Sequence, residues 1–152
     1  MTVTPLTTAQ QSAVDALVQS RRIERVPVDA LRAQAFLGQA TDALEELAVL
    51  TKASIRYNVA YDACHDVGEA LLATYGYRTS NGAGQHEALG RFLRAVVIEP
   101  PGDSAARRFD QLRRSRNQQR YGAAPVGAAD AELAAVAAHD LLQSARDLGI
   151  TD

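Results

Sequence analysis

The 152-residue chain has no tryptophan, one cysteine, one methionine and one lysine, and only 5% of its residues are aromatic. Each scarcity excludes something. Cys64 has no partner for an internal disulfide, so a disulfide-stapled secreted scaffold is ruled out and a reducing, cytoplasmic location is expected. No apolar run approaches the roughly 18 residues of a membrane span, so no membrane partner is expected. The opening MTVTPLTTAQQ lacks the basic and apolar regions of a signal peptide. β-branched residues are sparse and never alternate over a strand length, which argues against a sheet-based fold. What remains is 47% apolar and 22% charged, enough for one ordinary core.

The apolar residues present recur at helical spacing. Thr8-Ala-Gln-Gln11 has the form of a capping box and opens a short amphipathic run to about Arg22. After Pro27, Ala30, Ala33, Leu37, Ala40, Leu44 and Leu47 step by threes and fours. A second stripe runs through Tyr57, Ala60, Tyr61, Cys64, Val67, Gly68, Leu71, Leu72 and Tyr75. Its small residues, Ala60, Cys64 and Gly68, suit a close neighbouring helix. Residues 76–84 read as a loop, 85–98 as a helix, and Pro100-Pro101-Gly102 as its stop. Asp103 or Ser104 would cap the next helix, 103–121, and an alanine-rich helix of about 20 residues follows Gly127. The expected fold is all-α, an up-and-down bundle of four core helices with an additional short N-terminal helix. Residues 1–27 read as an extension and 28–152 as the bundle. The extension could pack on the bundle, lengthen a dimer interface or cap a cleft.

One segment does not fit a chain of net charge −2. Residues 107–120 hold six arginines against one acid, Asp110. The abundance of arginine over lysine, beside 29 alanines, follows GC-rich codon usage. Its placement needs another account. Ala105, Phe109 and Leu112 mark the core face of helix 103–121, and the same rhythm then reaches Arg116 and Gln119. Arg113, Arg116, Asn117 and Arg120 crowd one side, with Tyr121 a turn beyond Asn117. A guanidinium on a core-facing stripe must be paired or must line a cleft. A salt bridge to another helix is one solution. A phosphate site is the other, since arginine offers planar, bidentate donors.

Arg116-Asn117-x-x-x-Tyr121-Gly122, late in a penultimate helix, resembles the signature region of the HEPN superfamily (higher eukaryotes and prokaryotes nucleotide-binding). NVAYDACHDVGEALLATYGYR (58–78) is similar to that family's second helix, and GAGQHEALGRFL (82–93) to the loop and helix after it. The resemblance covers residues 30–148. It implies a HEPN-type bundle, a homodimer with a composite cleft between two copies, no cofactor, and RNA or nucleotide phosphate as ligand. It also implies metal-independent ribonuclease ancestry and a nucleotidyltransferase-type partner in a toxin–antitoxin or defence system. Arg116 corresponds to the motif arginine and Asn117 to its polar neighbour. Tyr121 stands where the family has histidine. A tyrosine titrating near 10 is a poor substitute for a histidine near neutrality, so cleavage is in question while binding is expected.

Within that resemblance Arg116 binds phosphate, Asn117 orients it, and Arg113 and Arg120 supply positive potential. Tyr121 stacks, hydrogen-bonds or accepts nucleotidyl modification. His65 is the candidate displaced base, which makes Arg116, Tyr121 and His65 the catalytic set if the chain is an endoribonuclease. The remaining alternative is a non-enzymatic dimeric module whose arginines are structural. His65-Asp66 and His139-Asp140 suggest metal ligation, but two such pairs are unremarkable, no Glu-x-x-His motif accompanies them, and no metal is expected.

Overall fold

Helical periodicity is realised along most of the chain. The computed structural model describes residues 2–151 and consists mainly of helices: α1 (Thr8–Gln19), α2 (Ala30–Leu47), α3 (Ala53–Tyr75), α4 (Gln85–Val96), α5 (Asp103–Tyr121) and α6 (Ala128–Asp147). Five helices follow the short α1 among the described residues, one for each of the five segments read from the sequence and one more than the four-helix core to which those segments were assigned. Two three-residue strands, β1 (Ile23–Arg25) and β2 (Tyr77–Thr79), pair antiparallel with Glu24 opposite Arg78. That ribbon was not expected, because three residues cannot display a period of two. The Glu24–Arg78 pair, at 2.8 Å, ties the two strands together.

Two helix starts also differ from expectation. The capping box of α1 is built by Thr7 and Gln10, one residue before the expected pair. Helix α5 starts at Asp103 behind Gly102, with no side-chain cap.

Helix α3 is the axis of the molecule. It packs along α2 and α6 and also touches α4 and α5. Its buried face carries Tyr57, Ala60, Tyr61, Cys64, Val67, Leu71 and Leu72. Helix α6 meets it with Ala131, Ala134, Ala138 and Ala145, small side chains that permit a short interaxial distance. Residues 2–27 join this core: Val14 and Ile23 are fully buried, and α1 lies against α4.

Three contacts set where α5 lies. The Phe109 ring closes on Gly90 of α4, so near that an added Cβ would stand 2.9 Å from it. The Tyr57 hydroxyl donates to the Leu112 carbonyl at 2.8 Å, and the Gln119 amide donates to the Ser54 carbonyl at 3.4 Å. The Leu89 side chain rests on Gly68 in the same way, fixing α4 on α3.

Gly68→Ala would put a Cβ 2.4 Å from Leu89 Cδ2, a side chain with no exposure and no room to retreat. A loss of about 1–3 kcal/mol in urea denaturation is expected. Gly38→Ala on α2 meets nothing within 4 Å and should gain about 0.5–1 kcal/mol. Equal stability of Gly68→Ala and the parent chain would contradict the close seating of α4.

Candidate anion-binding cleft

The register of α5 brings Arg116 over the ring of Tyr61, with the guanidinium carbon 4.9 Å from the ring centroid. The aromatic face takes the place of a buried counter-charge. Only 20% of the Arg116 side chain is exposed, and its Nη2 lies 3.9 Å from Asp62 Oδ1 at the solvent edge. Its Nε is buried with no hydrogen-bond partner. Asn58 Oδ1 and Gln119 Oε1, on the same two helices, are likewise buried and unpartnered. A buried N–H without a partner costs about 1–3 kcal/mol.

Arg116 forms one wall of a cleft of about 540 Å³ between the end of α5 and the loop before α4. Arg113, Asn117 and Tyr121 line it from α5; Gly82, Gly84, His86 and Glu87 line it from the other side. Gly84 takes φ of +91°, where side chains are disfavoured, and the chain turns there directly into α4. Tyr121 is 84% exposed at the mouth, and its hydroxyl is free to meet a ligand.

Not all the arginines are equally available. Arg113 holds Asp110 through both Nε and Nη2, at 3.1 and 2.8 Å, and Arg114 holds the same carboxylate at 2.9 Å. Arg107 pairs with Asp103. Arg120 is exposed and stands outside the cleft wall. Positive charge inside the cleft therefore rests on Arg116, with Arg113 partly neutralised. Glu87, the facing carboxylate, is engaged by Arg91 and Arg22.

Neither family models, curated proteins nor solved structures give a significant match to this chain. The chemistry of the cleft is therefore argued from its own atoms.

Two histidines meet here. His86 stands on the cleft wall, and His65 of α3 is the deeper one, with ring centroids 4.6 Å apart. His65 is not among the cleft-lining residues. Burial, reinforced by His86 and Arg116, brings its pKa down to about 4, so it is neutral at physiological pH. His86 is also shifted down by burial and by the Arg116 and Arg113 charges. Its Nδ1 lies 2.5 Å from the Tyr61 hydroxyl, and burial holds that phenol well above its usual pKa. Because the Tyr61 hydroxyl has no other acceptor among the described residues, we assign it as the donor to Nδ1, which puts the His86 proton on Nε2. His86 thus offers a donor and no free base nitrogen.

His86 lines the cleft and the buried Tyr61 supports it from behind through His86 and Arg116, and sequence reading assigned neither to the site. Tyr61 looked like a core residue because it lies on the apolar stripe, where it also stacks against Phe109. Cys64 is fully buried, with its thiol pushed up to about 12, and takes no part. Among the described residues no cluster of three or more His, Cys, Asp or Glu side chains could hold a metal ion. No helix of the described residues is long and apolar enough to cross a membrane.

Two half-buried neighbours on α3, His65 and Asp66, oppose each other in pH dependence. His65 titrates below its unfolded value of 6.5, so the unfolded chain takes up the proton first and stability falls as pH drops from 6.5 towards 4. Asp66 is raised to about 6 by burial and by Asp62 and Glu69, so its charge costs stability above pH 6 and that cost fades as pH falls towards 3.8. Asp66→Asn should gain about 1–2 kcal/mol at pH 7.5 and then lose stability more steeply than the parent between pH 6.5 and 4.5. Urea titrations at the two pH values check this, and an unchanged slope would contradict it.

Proposed function

We propose that this chain is a HEPN-type protein that binds the phosphates of RNA in the cleft around Arg116. The observation that carries the reading is the Arg116 guanidinium on the cleft wall, whose only ion-pair contact among the described residues, to Asp62, is as long as 3.9 Å. The Asn117 amide and the His86 Nε2–H add neutral donors, and Gly82 and Gly84 let the backbone approach a ligand. Donors outnumber acceptors on these walls, the arrangement that suits a phosphodiester.

Binding is better supported than cleavage. Attack by a ribose 2′-hydroxyl needs a base, and the Nδ1 of His86 is engaged by Tyr61 while His65 is half-buried, off the cleft wall and weakly basic. Tyr121, at the position of the family's histidine, serves as a stacking surface for a base.

The homodimer belongs to the same proposal. Ile55, Tyr121 and Leu133 are exposed apolar side chains. Ile55 and Leu133 lie at the end of the molecule where Arg56 pairs with Glu132 and Gln119 reaches Ser54, so a second copy covering these two would bring two clefts together and leave the Tyr121 ring to the ligand. A nucleotidyltransferase-type partner, in a toxin–antitoxin or defence setting, follows from the HEPN reading alone.

Arg116→Ala should weaken fluorescence-anisotropy binding of a single-stranded RNA more than tenfold, consistent with about 1.5–3 kcal/mol for hydrogen bonds to a charged group. The slope of log affinity against log salt should fall by about 0.7. RNA left intact in both proteins supports binding without turnover. Equal affinity of variant and parent would refute the site.

A further inference from the structure

We infer that the RNA path does not end at the Arg116 cleft but continues over the 82–84 loop into a second pocket built around Arg21, so that the ligand is a multi-nucleotide single strand and not a mononucleotide. This rests on the binding reading above. The second pocket, about 340 Å³, is lined by Ser20, Arg21, Arg22, Ser80 and Asn81, and it shares Ala83 and Gly84 with the first. The two pockets are therefore adjoining faces of one loop. Arg22 on one side pairs at 3.5 Å with Glu87 on the other, which keeps that carboxylate engaged along the path. The start of α4 lies between them and has no side-chain cap, so its partial positive charge faces the same route.

The backbone at Arg21 gives an independent reason. Helix α1 closes with the Arg22 N–H bonded to the Leu17 carbonyl and the Arg21 N–H to the Val18 carbonyl, both at 3.0 Å. This is the Schellman arrangement, whose left-handed position is normally filled by glycine. Helix α6 ends in the same way, with Gly149 at φ of +98°. Helix α1 instead places Arg21 there, at φ of +60°. A long cationic side chain in a backbone conformation that favours glycine is a local cost with no compensating ion pair among the described residues. The Ser80 hydroxyl, donating to the Arg21 carbonyl at 2.8 Å, holds the turn, and the side chain it projects into the second pocket would find its partner in a phosphate.

The test measures binding of fluorescein-labelled oligouridylates of about three and about twelve nucleotides, within the site sizes common for single-strand binders. The parent chain should bind the longer RNA at least tenfold more tightly. Arg21→Gly should weaken the long RNA about five- to tenfold, lower its salt slope by about 0.7 and leave the short RNA unchanged. Its urea midpoint should stay level or rise, because the left-handed position is relieved. A purely structural arginine would not combine those effects. Arg21→Glu should weaken the long RNA further, and it serves as a second readout if the glycine variant folds poorly. Arg116→Ala should lose both lengths. The inference is overturned if long and short RNAs bind the parent equally, or if both Arg21 variants bind the long RNA as the parent does while Arg116→Ala loses it. Failure of the parent to bind either RNA would overturn the underlying reading as well.

Discussion

The Arg116 guanidinium resting on the face of Tyr61 is the interaction on which the rest depends. A permanent charge lies on the core-facing stripe of α5, and the fold neutralises it only in part. The aromatic face contributes about 0.5–2 kcal/mol, and Asp62 meets the outer edge at 3.9 Å, beyond good hydrogen-bonding distance. The buried Nε is left without an acceptor. Neighbouring contacts hold this geometry in place: Phe109 against Gly90 and the Tyr57 hydroxyl on the Leu112 carbonyl leave α5 little freedom to slide. The cost is thus built into a rigid seam, and an anion in the cleft is the natural group to offset it.

Around that charge the titratable groups are tuned towards neutrality. His65 and His86 are discouraged from ionising by burial and by the same guanidinium, while burial keeps the Tyr61 phenol protonated. The Tyr61–His86 hydrogen bond then fixes which ring nitrogen faces outward. Phosphate binding without cleavage, as proposed, rests on these donors and on the low basicity of both histidines.

How much of this could be read from the chain follows from the reach of local pattern. The stripes through Leu37 and Leu44 and through Tyr61 and Leu71 state their helices directly, because a one-sided environment forces a period near 3.6. The turn from Leu112 to Arg116 was equally legible, and it marked the helix face on which Arg116 meets the Tyr61 ring. The pairing of Arg113 with Asp110 lies at a readable spacing of three residues, yet it was taken as free positive potential. What local pattern cannot give is the partner across space. Tyr61 and His86 are 25 residues apart and meet only because Leu89 seats on Gly68. The β1–β2 ribbon was hidden by its brevity. Arg21 did leave a trace, a helix end followed by no glycine, but its left-handed backbone emerges only with the helix end itself.

Nitrogen-resolved NMR of the arginine side chains, recorded while uridine 3′-monophosphate is titrated into the protein, addresses Arg116 directly. The account predicts a protected Arg116 Nε–H resonance that shifts saturably with the nucleotide, accompanied by His86 Nε2–H, while Arg107 and Arg114 stay still. An Arg116 signal that exchanges freely with water, or that ignores the nucleotide while exposed arginines respond, would contradict it.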